Sequence, residues 1–158
     1  MNFHKQLMEF YAISNEIDAF FTQLAIQSGL SVSAHWTLYF IRQSQNGCTQ
    51  KSICKQWSMS KQTVNSALKV LNKKGMITLH PSEKDRRSKQ IHLTPEGEAF
   101  AKKHLDVIFA AEEKTFMELS ESSRTALIQG SKDYLNGLQK NLADILQKQQ
   151  SEETKGDL

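Results

Sequence analysis

Between Thr49 and Gly97 the chain is punctuated so closely that few folds accommodate it. Thr49 precedes QKSICKQW and Ser60 precedes the run from Lys61 to Lys74. Each stands where a helix N-cap hydroxyl accepts from a free backbone N–H. Between the two helices, SMS leaves room only for a tight break. Gly75 follows Lys73 and Lys74, a helix stop preceded by cations that suit the negative end of the helix dipole. MITLHP and KQIHLT then read as two strands joined by SEKDRRS, and Thr94-Pro95 starts a further helix with proline in its first turn. Two short helices joined by a few residues form a helix-turn-helix, here followed by a hairpin.

The Lys61–Lys74 helix divides by face. At about 100° per residue, with Gln62 at zero, Ser66, Lys69 and Lys73 lie within about 40° and Asn65 about 60° away. Val64, Ala67, Leu68 and Leu71 fall on the opposite side, and the helix contains no acid. A solvated helix ordinarily mixes Glu with Lys, because opposite charges four residues apart are mildly stabilising. An acid-free polar face points to an anionic partner. Gln and Asn pair with adenine edges in the major groove, and Lys reaches guanine acceptors or phosphate. Gln62, Asn65, Ser66 and Lys69 are the candidates for base edges; Ser60, Lys61, Thr63 and Lys73 are candidates for the DNA backbone.

Charge along the chain agrees. Residues 42–103 hold thirteen Lys and Arg against four acids, whereas residues 104–158 hold six against ten. A basic middle beside an acidic flank is the footprint of a nucleic-acid-binding module on a separate scaffold. The loop SEKDRRS alone would read as a solvated turn. One hairpin downstream of a basic helix-turn-helix, it has the placement of a wing, which lies along the DNA backbone or enters the minor groove. Arginine suits the narrow, negative minor groove of A·T-rich DNA. Lys84, Arg86, Arg87 and Lys89 are therefore candidate DNA contacts, and Asp85, which repels phosphate, is assigned to orienting the loop.

DRRSKQIHLTPEG, preceded by SMSKQTVNSALKVLNKKGMI, resembles the MarR family of bacterial transcriptional regulators. The family pattern of Asp-x-Arg, a short strand, Leu-Thr and Gly is met by Asp85, Arg87, Leu93, Thr94 and Gly97. The resemblance covers nearly the whole chain in helical order. It implies a mainly α fold with a small β-hairpin wing: a winged helix-turn-helix DNA-binding lobe plus a helical dimerisation region. It implies an obligate homodimer, with the first helix and the last two building the interface. Recognition helices would lie in successive major grooves of a near-palindromic operator, and Arg87 rather than Arg86 would meet the minor groove.

The flanking segments divide accordingly. Residues 1–30 read as a dimerisation helix, in which Phe3, Leu7, Phe10, Ile13, Ile17, Phe20 and Leu24 form a stripe and Gly29 a stop. Ser31 or Ser33 caps a second helix with Trp36, Tyr39 and Phe40 inward, opening a DNA-binding lobe over 31–94. Residues 95–147 read as C-terminal dimerisation helices, the first running to about Leu119 and the second carrying a stripe of Leu127, Leu135, Leu138, Leu142 and Ile145. The polar tail 148–158 reads as frayed or disordered. One small lobe cannot cover both apolar stripes, which favours self-association over packing within one chain.

Other chemistry is sparse. The expectation is no enzyme, no cofactor and no metal: there is no nucleophile–base pairing, phosphate-cradling Gly loop or HExxH, and the five histidines form no close ligand motif. No run of about 18 apolar residues exists, so no membrane partner is expected. Two cysteines outside a CxxC motif, and no basic-then-apolar leader, fit a cytoplasmic setting. Cys54 reads as a core thiol and Cys48, after Asn46-Gly47, as the more exposed one. A cysteine-based redox-sensing regulator and a winged-helix protein-interaction module without DNA reading are the alternatives; the latter would show an acidic or apolar recognition face. Many members of the resembled family bind small aromatic compounds between the dimer helices and the lobe. Tyr11, His35, Trp36 and Tyr39 are the candidates to line such a pocket, against the competing reading of a packed core.

Overall fold

The computed structural model describes residues 2–44, 47–81 and 88–156, the last six by backbone only. The elements are α1 (Phe3–Gln27), α2 (Val32–Gln43), β1 (Cys48–Thr49), α3 (Gln50–Trp57), α4 (Lys61–Lys73), β2 (Ile77–Pro81), β3 (Lys89–Leu93), α5 (Pro95–His104), α6 (Asp106–Glu118) and α7 (Glu121–Gly156). The chain is mainly helical with a small antiparallel sheet, and it forms two compact units, Met1–Phe109 and Ala110–Leu158.

In the first unit the caps fall where the sequence puts them. Ser31, Thr49, Ser60 and Thr94 each accept a backbone N–H with the side-chain hydroxyl, and Gly29 and Gly75 take positive φ just past α1 and α4. The core is built from Leu38 of α2, Ile53 of α3, Val64 and Leu71 of α4, Ile91 of β3 and Leu105, all fully buried. Sheet order is β1-β3-β2, with Cys48 opposite Ile91 on one edge and Leu79 opposite Ile91 on the other. The strand β1 is an addition to the two expected strands. Two residues carry no readable period, and only the free edge of β3 makes them a strand.

Three boundaries differ from the sequence reading. The helix after Thr94 does not run unbroken to Leu119: α5 ends at His104, Leu105 is fully buried, and α6 starts at Asp106. There the Arg42 guanidinium holds Asp106 through two hydrogen bonds of 2.9 Å and also pairs with Glu98. That contact comes from α2, distant in sequence. Second, α5 does not stand apart from the lobe. Gly97, Ala101, Leu105 and Ile108 are buried in it, so the unit extends to Phe109 rather than ending at 94. The last turns of α1 join the same unit through buried Ala25 and partly buried Phe21 and Leu24. Third, α7 continues to Gly156 through the tail expected to fray. Gln, Lys and Glu, which make up much of this stretch, are good helix formers.

In the second unit, Ser120 caps α7 through Ser123 N–H, and Arg124 donates to the carbonyls of Phe116 and Leu119 at the end of α6. Leu127, Leu135, Leu138, Leu142 and Ile145 of α7 stay exposed in the single chain, as do Phe3, Phe10, Ile13, Ile17 and Phe20 of α1.

Thr94 ties the first unit together. Its hydroxyl donates to the Gly75 carbonyl at 2.5 Å and accepts from Gly97 N–H at 3.0 Å, while its own N–H donates to the Met76 carbonyl at 3.1 Å. Gly97 packs so closely on Met76 that an added Cβ would collide with the Met76 carbonyl oxygen. Gly97→Ala should therefore destabilise the folded chain by about 1–3 kcal/mol, the usual scale of overpacking, measured by denaturant titration. A change within ~0.5 kcal/mol would contradict the close approach.

His35 is fully buried. Ser28 Oγ donates to the Ala25 carbonyl at 2.6 Å and lies 3.0 Å from His35 Nδ1, so the imidazole donates from Nδ1. Nε2 then carries a bare lone pair with no partner among the described residues. Burial, helped by the nearby His104, holds the His35 pKa below its ordinary 6.5. The unfolded chain thus takes up a proton that the folded chain refuses. Stability should fall as pH drops below about 6.5, by up to ~1.4 kcal/mol for each unit of depression. His35→Gln should flatten that part of the pH–stability curve; an unchanged slope would refute the assignment.

Candidate nucleic-acid interface

Burial decides how α4 is presented. Val64, Ala67, Leu68 and Leu71 are buried in the lobe, as the angular reading requires. That turns Gln62, Asn65, Ser66, Lys69 and Lys73 outward, and all five are exposed. Ser60 and Thr63 are less free than the sequence suggests. Ser60 Oγ accepts from Thr63 N–H at 3.0 Å and lies 2.7 Å from Thr63 Oγ1, so both hydroxyls are engaged in the cap.

Beside this face lies a groove of about 650 Å³ between α3, α4 and β3. Lys61, Asn65, Lys69 and Lys89 line it, bringing four of the expected contacts to one place. Gln50, Lys51 and Asn72 line it too, none of them among the contacts expected from the sequence. Asn72 shares the angular sector of Asn65, a signal that was available; Lys51 and Gln50 belong to the preceding helix, and only the fold brings them across. Gln50 Nε2 donates to the Lys61 carbonyl at 2.9 Å, fastening the start of α3 to the start of α4. No acidic residue occurs between Asp18 and Glu83, so the lysines of the groove meet no counter-charge from α3 or α4. Lys84, Asp85, Arg86 and Arg87 lie outside the described residues. The hairpin is described as far as the pairing of Pro81 with Lys89.

None of the four candidate ligand residues lines the groove beside α4. His35 and Tyr39 are buried core residues, Trp36 is half-buried, and Tyr11 is exposed on α1, ten residues before Phe21. Trp36 is the centre of an aromatic cluster, stacked on Trp57 at 5.4 Å and edge-on to Phe21 and Tyr39. A separate cavity of about 810 Å³ is lined by Arg42, His92, Glu98, Asp106 and Phe109 among others, and by none of the four. Its guanidinium is already committed: hydrogen bonding to Arg42 holds the Asp106 carboxyl below the usual range.

Comparison with known proteins agrees with this geometry. A family model described as MarR family matches residues 28–88, from the end of α1 to the far side of the hairpin loop. A MarR family regulator from Neisseria meningitidis is 26% identical, with a TM-score of 0.71 over 91% of this chain and 99% of its own. The S. aureus MepR–DNA complex is 25% identical, with a TM-score of 0.65 over 84% of this chain and 97% of its own. Streptococcus pneumoniae FabT in complex with DNA shares the fold at 23% identity and a TM-score of 0.61, over 86% of this chain and 98% of its own.

The cysteines reverse the sequence expectation. Cys48 is buried on β1, whereas Cys54 is half-buried and borders the groove. Ile53 takes the core position of α3, and one helical step of about 100° carries Cys54 off that face. Burial pushes the Cys48 thiol up to about 11, against a smaller opposing effect of the Ser44 hydrogen bond. At pH 8 only about one Cys48 in a thousand is then thiolate, the reactive form. Iodoacetamide at pH 8 should label Cys54 in the folded chain and reach Cys48 only after unfolding, read by peptide mass spectrometry. Equal labelling of both would contradict the burial.

Proposed function

We propose that this chain, which matches a MarR family model over residues 28–88 and is similar to MarR regulators in the order of its helices, is a homodimeric, sequence-specific DNA-binding transcriptional repressor released by a small-molecule or stress signal. The observation that carries the reading is the exposed, acid-free face of α4, opposite its buried face and opening onto a lysine-bordered groove. In this reading α4 enters the major groove, with Gln62, Asn65, Ser66 and Lys69 at base edges and Lys61 and Lys73 at phosphates. Ser60 and Thr63 order the start of the helix and approach the backbone there. By motif, Arg87 of the wing meets the minor groove, Arg86, Lys84 and Lys89 the backbone, and Asp85 aims the loop.

Self-association follows from the uncovered apolar residues of each unit. Leu135, Leu138, Leu142 and Ile145 recur at steps of three and four, the spacing of a helix that packs on another helix. The occupant proposed for these faces is a second copy of the chain. A homodimer then presents two α4 helices, and an effector acts by favouring a separation of the two that the operator does not fit. A small aromatic effector is the chemistry proposed, with half-buried Trp36 as its stacking partner.

Selection from a random duplex pool, followed by titration across salt, tests the proposal. The expected result is a near-palindrome with half-sites about one helical turn apart, bound by a dimer with strongly salt-dependent affinity. Lys69→Ala should cost about 1–3 kcal/mol and relax specificity at one position of each half-site. A monomer that binds duplexes without sequence preference would overturn the reading.

A further inference from the structure

The two flanks of α4 are unlike. With Gln62 at zero, Lys61, Asn65 and Asn72 lie roughly 60–100° to one side, and Thr63 and Val70 roughly 80–100° to the other. The first flank faces the groove and brings Lys61 to it. The second offers an exposed Val70 and a Thr63 hydroxyl 2.7 Å from Ser60 Oγ.

Across the groove from α4 stands Lys51, exposed on the first turn of α3, and Lys89 closes the far side from β3. The separation of Lys51 from Lys61 is not left to chance. The hydrogen bond from Gln50 to the Lys61 carbonyl joins the neighbouring residues of the two helices. A capping box fixes the backbone under Lys51: Ser52 N–H donates to Thr49 Oγ1 at 3.2 Å and Thr49 N–H to Ser52 Oγ at 3.0 Å. The Thr49 and Ser52 amides are thereby satisfied within the chain, so the capping box sets the backbone from which Lys51 extends.

We propose that this groove seats one phosphodiester strand of the bound DNA, and that Lys51 is a phosphate contact of α3, working with Lys61 and Lys89 along the same strand. Gln50 is a positioning residue that holds the two helix starts at that spacing. The inference rests on the DNA-binding reading of α4 and names a contact that the reading itself does not require.

The test uses the full-length protein and its selected duplex. Each neutralised phosphate contributes about −0.9 to the slope of log affinity against log salt. Lys51→Gln should make the slope shallower by about one and weaken binding several-fold at ~50 mM salt, with the thermal melt unchanged. Lys51→Arg should keep the wild-type slope, and Lys55→Gln, on the same helix outside the groove, should change neither quantity. Replacing single phosphates by neutral methylphosphonates locates the contact. One position beside each half-site should weaken wild-type binding and have no effect on Lys51→Gln. Gln50→Ala should weaken binding and reduce the effect of that same methylphosphonate, without making the protein unstable.

Wild-type protein that binds no duplex in a salt-dependent way would remove the underlying reading and this inference with it. Wild-type binding with an unchanged slope in Lys51→Gln, or a methylphosphonate effect that persists in that variant, would overturn this inference alone.

Discussion

One threonine hydroxyl sets the geometry on which the lobe depends. Thr94 donates to the carbonyl that ends α4 and accepts from the amide that begins α5, so the end of one helix and the start of the next share a single oxygen. Gly97 makes this possible, because any side chain there would meet the Met76 carbonyl. The hairpin leaves through Ile77 and returns through Leu93, which pair with each other directly beside the knot. A displacement of α5 is therefore felt at α4 and at the base of the hairpin together. The Leu-Thr-Pro-Glu-Gly run is thus more than a start signal: its Thr94 and Gly97 join α4, the hairpin and α5.

A second constraint is the division of α4 into two faces. Four buried apolar side chains hold the helix against α2, α3 and the sheet, and their spacing fixes which residues point outward. Rotation about the helix axis would expose Leu71 and bury Lys69, an unfavourable exchange in both directions. The polar face is consequently presented as a rigid array, and side chains held by packing lose less freedom when a partner binds. The fastening of Gln50 to Lys61 extends that rigidity to α3. The wider absence of acids from Asp18 to Glu83 leaves the groove without internal counter-ions from this stretch, and a polyanion is the partner that would supply them.

Local signals were legible because they act over a few residues. Thr49, Ser60 and Thr94 cap helices through their own neighbours, and Val64, Ala67, Leu68 and Leu71 declare a buried face by spacing alone. The contacts read poorly where distance along the chain separates the partners. The break at Leu105 follows buried packing and an Arg42–Asp106 pair sixty-four residues apart in sequence. The strand at Cys48 exists because β3 offers an edge, and its thiol is buried for the same reason. Polar residues in the tail were read as a loss of structure, although α7 needs only helix propensity to continue through them.

By itself the sequence determined the order of elements, the inward and outward faces of α4 and the basic character of the middle of the chain, since periodicity, capping and charge are local properties. The tertiary structure alone decided which distant residues meet: Gln50 on the Lys61 carbonyl, Arg42 against Asp106, and Trp36 on Trp57. Those meetings depend on how buried surfaces pack in three dimensions, and no period along a chain encodes them.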